Sequence, residues 1–231
     1  MENKELSIII PAYLEEENLR IILPRLNAIL QEIGDNCEIL VVDTMEKMDN
    51  TKMVCEEYGA TYINRIGGND YGDAIRTGIS RASGQYTIFM DADGSHDPEF
   101  IKNLYNIKDN YDVVIASRYI AGGNTDNSKL LILMSLVVNV AYSLILNIKC
   151  KDISNSFKLY KTDDLRDLRL MCNNFDIVEE ILFKLKKKKH NLRIKELPFL
   201  FKKRIFGHTK RNLFVFMLSY IVTIVKLRFS K

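Results

Sequence analysis

Asp91 and Asp93 stand two residues apart, after the apolar run Tyr86 to Met90 and ahead of a turn carrying Gly94 and Pro98. In an extended segment, positions i and i+2 point to the same side, so this spacing lets two carboxylates converge on one point. Converging carboxylates repel unless a hard cation lies between them. Mg²⁺ is commonly held by one or two carboxylates together with substrate phosphates. A solvated acidic turn is the alternative use of such a pair. Its place in the chain decides for the metal, because open α/β sheets bind ligands at the carboxyl ends of their strands. The expected chemistry is a metal–diphosphate site.

The elements that must position this pair follow from hydrophobic periodicity. Leu6 to Ile10 is a continuous apolar run stopped by Pro11, the pattern of a buried parallel strand. Leu19, Ile22, Leu23, Leu26, Ile29, Leu30 and Ile33 recur at helical spacing, with Pro24 among them. Glu38 to Val42, Ala60 to Asn64, Tyr86 to Met90 and Asp112 to Ser117 read as further strands. Thr51 to Tyr58 and Ala74 to Ala82 read as the helices between them. Strands alternating with helices over about 120 residues predict an α/β fold with a mostly parallel, doubly wound sheet. The expected division is a main domain over 1–211 and a C-terminal apolar and basic segment over 212–231.

At 231 residues the chain is long enough for one substantial core, and 47% apolar with 27% charged residues excludes a disordered protein. Cys37, Cys55, Cys150 and Cys172 are scattered without metal-type spacing, so they read as reduced thiols. The first residues run straight into a strand with no signal-peptide pattern. The net charge of +3 hides a basic C-terminal third that includes Lys184, Lys186 to Lys189, Lys202, Lys203, Arg204, Lys210 and Arg211. Lys186 to Lys189 taken alone read as a solvated helix end. No nucleic-acid motif accompanies the basic residues, and nucleic acid is not an expected partner.

From Lys129 the chain changes character. Leu130 to Ile148 is apolar except for Ser135, Asn139, Ser143 and Asn147, which recur every fourth residue and form one stripe. A polar stripe suits a helix lying in an interface or against the protein body better than one surrounded by lipid, with a spanning helix as the alternative. Leu213 to Val225 is a shorter apolar segment followed by Lys226, Arg228 and Lys231. Two such segments beside basic residues predict association with a membrane surface.

Six segments in order resemble the family 2 glycosyltransferases of GT-A fold, and more narrowly their polyprenyl-phosphate, dolichol-phosphate mannosyltransferase-like branch. The resemblance covers nearly the whole chain. It rests on Ile8 to Leu19 (the P-A-Y-N-E-x-x-N-L motif, with Leu14 in place of Asn), Gly72 to Gly78, and Asp91-Ala92-Asp93. It continues through Ser117-Arg118-Tyr119 with Gly122-Gly123, then Asp152 to Phe157, and Pro198 to Lys210.

The resemblance implies a GT-A, Rossmann-like sheet with flanking helices and C-terminal interfacial helices. It also implies an inverting, metal-dependent transfer of sugar from a nucleotide-diphosphate sugar to polyprenyl phosphate on the cytoplasmic face of the membrane. Asp91 and Asp93 would hold Mg²⁺ or Mn²⁺, with Ser95 at a third position often occupied by Gln. Pro11, Ala12, Tyr13, Glu15, Asp43, Asp73 and Ala92 would border the nucleotide-sugar. Arg118, Arg204 and Lys210 would meet the leaving nucleotide and the acceptor phosphate, with His208 and Thr209 beside the last. A separate membrane subunit is a candidate partner. Thr44 replaces the family's second Asp after the second strand, and Ser156 and Lys158 replace Gly and Arg, so base, sugar and acceptor stay open.

Two other readings remain at this point. Transfer to a glycan or lipid-linked saccharide hydroxyl would need a carboxylate base, for which Asp152, Asp176 and Glu179 are the candidates. A non-catalytic nucleotide-sugar-binding subunit is the reading from another class, and the intact carboxylate pair speaks against it.

Overall fold

The structure is a computed structural model that describes residues 4–34, 36–207 and 213–229, with side chains in the last segment described at 220 and 222–229. In chain order, β1 (Leu6–Pro11), α1 (Glu16–Ile33), β2 (Cys37–Asp43), α2 (Thr51–Glu57), β3 (Thr61–Asn64), α3 (Tyr71–Arg81) and β4 (Tyr86–Phe89) form the alternating half. Next come α4 (Ile101–Tyr105), β5 (Val113–Ser117), β6 (Asn124–Thr125) and α5 (Lys129–Ile145). The chain continues with β7 (Lys158–Lys161), α6 (Thr162–Arg166), α7 (Ile177–Lys188), β8 (Ile194–Pro198), β9 (Leu200–Phe201) and α8 (Leu213–Phe229).

Seven strands form one sheet in the order β3-β2-β1-β4-β7-β5-β8, with β7 antiparallel to both of its neighbours and every other pairing parallel. The expected mostly parallel α/β sheet is therefore what the chain builds. Successive strand residues face opposite sides, and both sides are dry. Ile8, Ile10, Val41 and Ile88 pack with α1, α2 and α4, whereas Ile9, Leu40, Val42 and Phe89 pack with α3 and the helices α5 to α8. A small parallel pair, β6 with β9, lies apart from the main sheet. It carries the chain from Leu200 back toward the end of β4.

Helix α5 is inside-out relative to an ordinary surface helix. Ser135 bonds toward Arg118 and Ser154, the buried Asn139 accepts from the Ser154 backbone N–H at 2.9 Å, and Ser143 donates to the Ile148 carbonyl at 2.8 Å. The polar stripe thus faces the protein body, where backbone and side-chain partners satisfy it. Aliphatic side chains are left outside: Leu130, Leu133, Val137, Val140 and Leu144 are exposed, the last at 75%. α8 joins the core through Tyr220, Ile224 and Leu227, and Tyr142 donates to the Tyr220 carbonyl at 3.0 Å. No described helix is long and apolar enough to cross a membrane.

Candidate active site

The carboxyl ends of β1, β3 and β4 open onto a cavity of about 650 Å³. At one end it is lined by Pro11, Ala12, Tyr13, Glu15, Arg65 and Asn69. Asp91, Ala92, Asp93 and Ser95 occupy the middle, and Leu131, Met134, Val138, Phe175, Val178 and Tyr220 form an apolar far end.

The two aspartates do not sit on a strand. β4 stops at Phe89, and Asp91 to Ser95 form a turn with Gly94 at φ +80°. The i, i+2 geometry of an extended chain is therefore not what orients them, and that expectation is corrected. Side chains hold the turn instead. Ser95 donates to Asp93 Oδ1 through its backbone N–H at 3.0 Å and its hydroxyl at 2.6 Å. The Asp91 backbone N–H donates to His96 Nδ1 at 3.0 Å. His96 is fully buried, stacked on Phe157 at 4.6 Å, and its Nε2–H faces Asn155 Oδ1 at 3.2 Å. Burial holds the imidazole below its ordinary pKa, so a neutral ring with a fixed tautomer braces the turn. Gly94 is needed twice over, because its φ is left-handed and a Cβ there would lie 2.4 Å from Ile205 Cδ1.

The segment after β9 is laced to this turn by backbone bonds from Ile205 N to Asp93 O at 2.9 Å and from Lys202 N to Ser95 O at 3.1 Å. It delivers Arg204, whose Nη1 donates to Glu15 Oε1 and Oε2 at 2.8 and 2.9 Å while Nη2 lies 3.4 Å from Asp93 Oδ2. Burial works to raise the Asp93 carboxyl, but the Ser95 hydrogen bonds and the Arg204 charge outweigh it and hold the group below its ordinary value. Glu15 goes the other way: burial lifts its pKa despite Arg204 and Asn18. A cationic group already rests against Asp93 Oδ2, and the oxygen donors of Asp91 and Asp93 suit a hard cation.

Arg118 lines the wall toward the apolar end and is not free. Its Nε donates to Asp152 Oδ2 at 2.8 Å and its Nη2 to Asp152 Oδ1 at 2.7 Å, with Ser154 Oγ at 2.9 Å. Burial alone would lower the guanidinium pKa; the Asp152 carboxylate more than compensates and raises it. Asp152, Asp176 and Glu179 are all buried and none lines the cavity. Asp152 is committed to Arg118, and Asp176 accepts from Thr223 Oγ1. Glu179 is wholly enclosed.

Of the residues expected at the nucleotide-sugar, Pro11, Ala12, Tyr13, Glu15, Asp91, Ala92 and Asp93 come together, as do Ser95, Arg118 and Arg204. Asp43 and Asp73 do not reach the cavity lining. Asp73 caps α3, accepting from the Asp70 N–H at 3.1 Å and pairing with Arg76 at 2.7 Å. Asp43 ends β2 outside the cavity lining, raised by burial, with Oδ2 taking the Tyr62 hydroxyl at 3.2 Å. Lys210, His208 and Thr209 lie outside the described residues. Sequence reasoning missed Arg65, Asn69, Tyr71 and His96. The first three follow β3, and applying the strand-end rule to that strand would have found them. His96 carried no local signal.

Comparison with known proteins agrees with this architecture. The model of the family described as "Glycosyl transferase family 2" matches residues 7–169. The dolichol-phosphate mannosyltransferase of Pyrococcus furiosus is 35% identical over 216 residues, covering 89% of this chain and 59% of that protein, so the chain spans less than two thirds of that relative's length. The dolichol-phosphate mannosyltransferase of Saccharomyces cerevisiae is 27% identical over 89% of this chain and 80% of its own. Among solved structures, glucosyl-3-phosphoglycerate synthase from Mycobacterium tuberculosis, in complex with Mn²⁺, uridine diphosphate and phosphoglyceric acid, superimposes with a TM-score of 0.76. It covers 99% of this chain and 80% of the other at 16% identity, a likeness of fold.

Proposed function

The chain belongs to glycosyl transferase family 2, and from that premise we propose that it moves a sugar from a nucleotide-diphosphate sugar to a polyprenyl phosphate, with inversion, while held peripherally on the cytoplasmic face of a membrane. The carrying observation is the polarity of this cavity. Its carboxylates, Glu15, Asp91 and Asp93, all lie at the nucleotide end or in the middle, and the far end offers apolar side chains and Arg118 but no carboxylate among the described residues. An acceptor hydroxyl needs a general base within reach. A phosphate monoester of a lipid is already anionic and needs none. The far end therefore supports an acceptor that brings its own charge and an apolar tail, and the names of the two mannosyltransferase relatives support the same reading.

Asp91 and Asp93 would hold a divalent cation, Mg²⁺ or Mn²⁺, with the diphosphate and water completing its coordination. Such an ion supplies Lewis-acid neutralisation of the departing diphosphate. The protein's own part is positional. Glu15 and Arg204 close the nucleotide end, and Arg118 lines the wall toward the acceptor end, so the two guanidinium groups would supply positive charge to the phosphates on either side. The acceptor phosphate oxygen would form the new bond at the anomeric carbon as the bond to the diphosphate oxygen breaks, that oxygen leaving with the bonding electron pair. No proton is removed. Catalysis then rests on alignment and charge stabilisation. The outward leucines of α5 and the basic end of α8 would rest on the leaflet that holds the acceptor.

The test is sugar transfer into lipid extract. The purified chain, polyprenyl phosphate in vesicles and Mn²⁺ or Mg²⁺ are incubated with radiolabelled GDP-, UDP- and CDP-sugars beside an Asp93→Asn control. Lipid-soluble label lost in the control supports the proposal and identifies the donor. Metal-dependent donor hydrolysis with no lipid labelling would transfer the argument to a hydroxyl acceptor.

A further inference from the structure

Where the apolar end of the cavity meets the carboxylate pair, the wall is aromatic. Tyr71, the first residue of α3, and Phe175, just before α7, both line it and stack on each other with centroids 4.1 Å apart and planes 25° from parallel. The Tyr71 hydroxyl donates to Asp91 Oδ1 at 3.4 Å, and the Ser156 hydroxyl donates to the same oxygen at 3.1 Å. The two loops that carry the rings are fastened together. The Gly72 N–H donates to the Asn173 carbonyl at 2.6 Å, and Arg76 donates to the Cys172 carbonyl at 2.6 Å and to Asn173 Oδ1 at 3.1 Å. The approach is so close that a Cβ on Gly72 would lie 2.3 Å from the Cys172 carbonyl oxygen. The stack is thus fixed before any ligand arrives, which lowers the cost of using it for recognition.

The inference rests on the proposed donor and acceptor ends of the cavity. A sugar bonded to a diphosphate at Asp91 and Asp93, and attacked from the side of Met134 and Val138, has to occupy the space that Tyr71 and Phe175 bound. We propose that these two residues form the subsite for the transferred sugar. The rings pack against the C–H face of the pyranose, and the Tyr71 phenol, the Ser156 hydroxyl and the Asp91 carboxylate form a corner that reads one of its hydroxyl groups. That corner offers two hydroxyl oxygens whose remaining lone pairs can accept from a hydroxyl of the sugar.

Equilibrium binding by calorimetry tests this on the full chain with Mn²⁺, using GDP and UDP alone beside GDP-mannose, UDP-glucose and UDP-glucuronic acid. Thermal unfolding of each variant is measured in parallel. Phe175→Leu is expected to weaken binding of the nucleotide hexose about tenfold while leaving that of the bare nucleotide unchanged, the scale of one lost apolar contact set in a pocket, and Tyr71→Leu, which also removes a bond to Asp91, should weaken the hexose donor more than the bare nucleotide. Tyr71→Phe keeps the stack and should weaken hexose binding by about threefold, as for loss of one neutral hydrogen bond. Equal losses for sugar-bearing and bare nucleotide, or no loss in any variant, would overturn the subsite while leaving the donor reading standing. Failure of the wild type to bind any of these five nucleotides, or CDP, would overturn the donor reading, and the subsite with it.

Discussion

Replacing Asp152 by Asn tests whether Arg118 is a scaffold element or a working cation. The Arg118 side chain is 8% exposed and that of Asp152 is fully enclosed, with two charge-assisted contacts of 2.7 and 2.8 Å between them and a third from the Arg118 backbone N–H at 2.8 Å. Asp152→Asn leaves a buried guanidinium without its counter-charge, a change that costs about 3–5 kcal/mol. For a chain of this length, about 1 kcal/mol moves Tm by roughly 2–4 °C, so a fall of roughly 6–20 °C is expected. The double variant Arg118→Met with Asp152→Leu removes both charges and should recover most of that loss, since apolar replacement of a buried pair is commonly near neutral. Thermal unfolding followed by circular dichroism gives the stability of all three forms, and lipid-labelling measures transfer at a temperature where each is folded. If Arg118 also meets phosphate, the double variant will be stable and slow, with its acceptor KM raised. A Tm change below about 2 °C for Asp152→Asn would refute the buried-pair reasoning, on the same conversion. A stable double variant that transfers at the wild-type rate would refute any role for Arg118 in anion binding.

Three further outcomes are expected. Burial raises Glu179 from an ordinary 4.5 to about 8, so its unfolded form loses a proton that the folded form keeps, and stability falls as pH rises between those values by at most ~1.4 kcal/mol per unit. Burial lowers Lys158 to about 8, which leaves it charged in both states below that pH and adds no slope. Glu179→Gln should therefore gain on the wild type in urea titrations from pH 5 to pH 7.5; an advantage independent of pH would contradict this. Leu133→Glu and Leu144→Glu lie on the outer face of α5 and should abolish sedimentation with anionic vesicles while Tm holds, because such surface changes usually stay within about 0.5 kcal/mol. Undiminished sedimentation would remove α5 from the membrane contact. Leu14 has φ +55°, in the left-handed region that Asn tolerates and Leu resists. Leu14→Asn should raise stability by about 1 kcal/mol in chemical denaturation, and an unchanged midpoint would show that the backbone there is unstrained.

The Leu14 strain shows how far local sequence information reaches. The segment Pro11 to Asn18 resembles a family motif in which Asn stands at this position, and the structure supplies the physical reason, a single left-handed residue between β1 and α1. The alternating strands, the two-sided burial of the sheet and the placing of Asp91 and Asp93 at a strand's end followed from periodicity, because a dry parallel strand needs a continuous apolar run and a helix needs its 3.6-residue stripe. What orients the aspartates did not follow. The chain leaves β4 before reaching them, and the bracing comes from His96, Asn155 and Phe157, brought together by β7 inserting between β4 and β5.

The fold class, the strand-end location of the carboxylate pair and the apolar character of the segments that become α5 and α8 were all legible from residue order. These depend on residue type and short-range spacing, which survive in any folded arrangement. Tertiary structure alone decided that Arg118 meets Asp152, that Arg204 rests between Glu15 and Asp93, and that Tyr71 stacks on Phe175. It also turned the polar stripe of α5 inward. Each is a meeting of residues distant in the chain, governed by which buried charges and polar groups find partners once the sheet closes, and spacing along the sequence carries no record of that pairing.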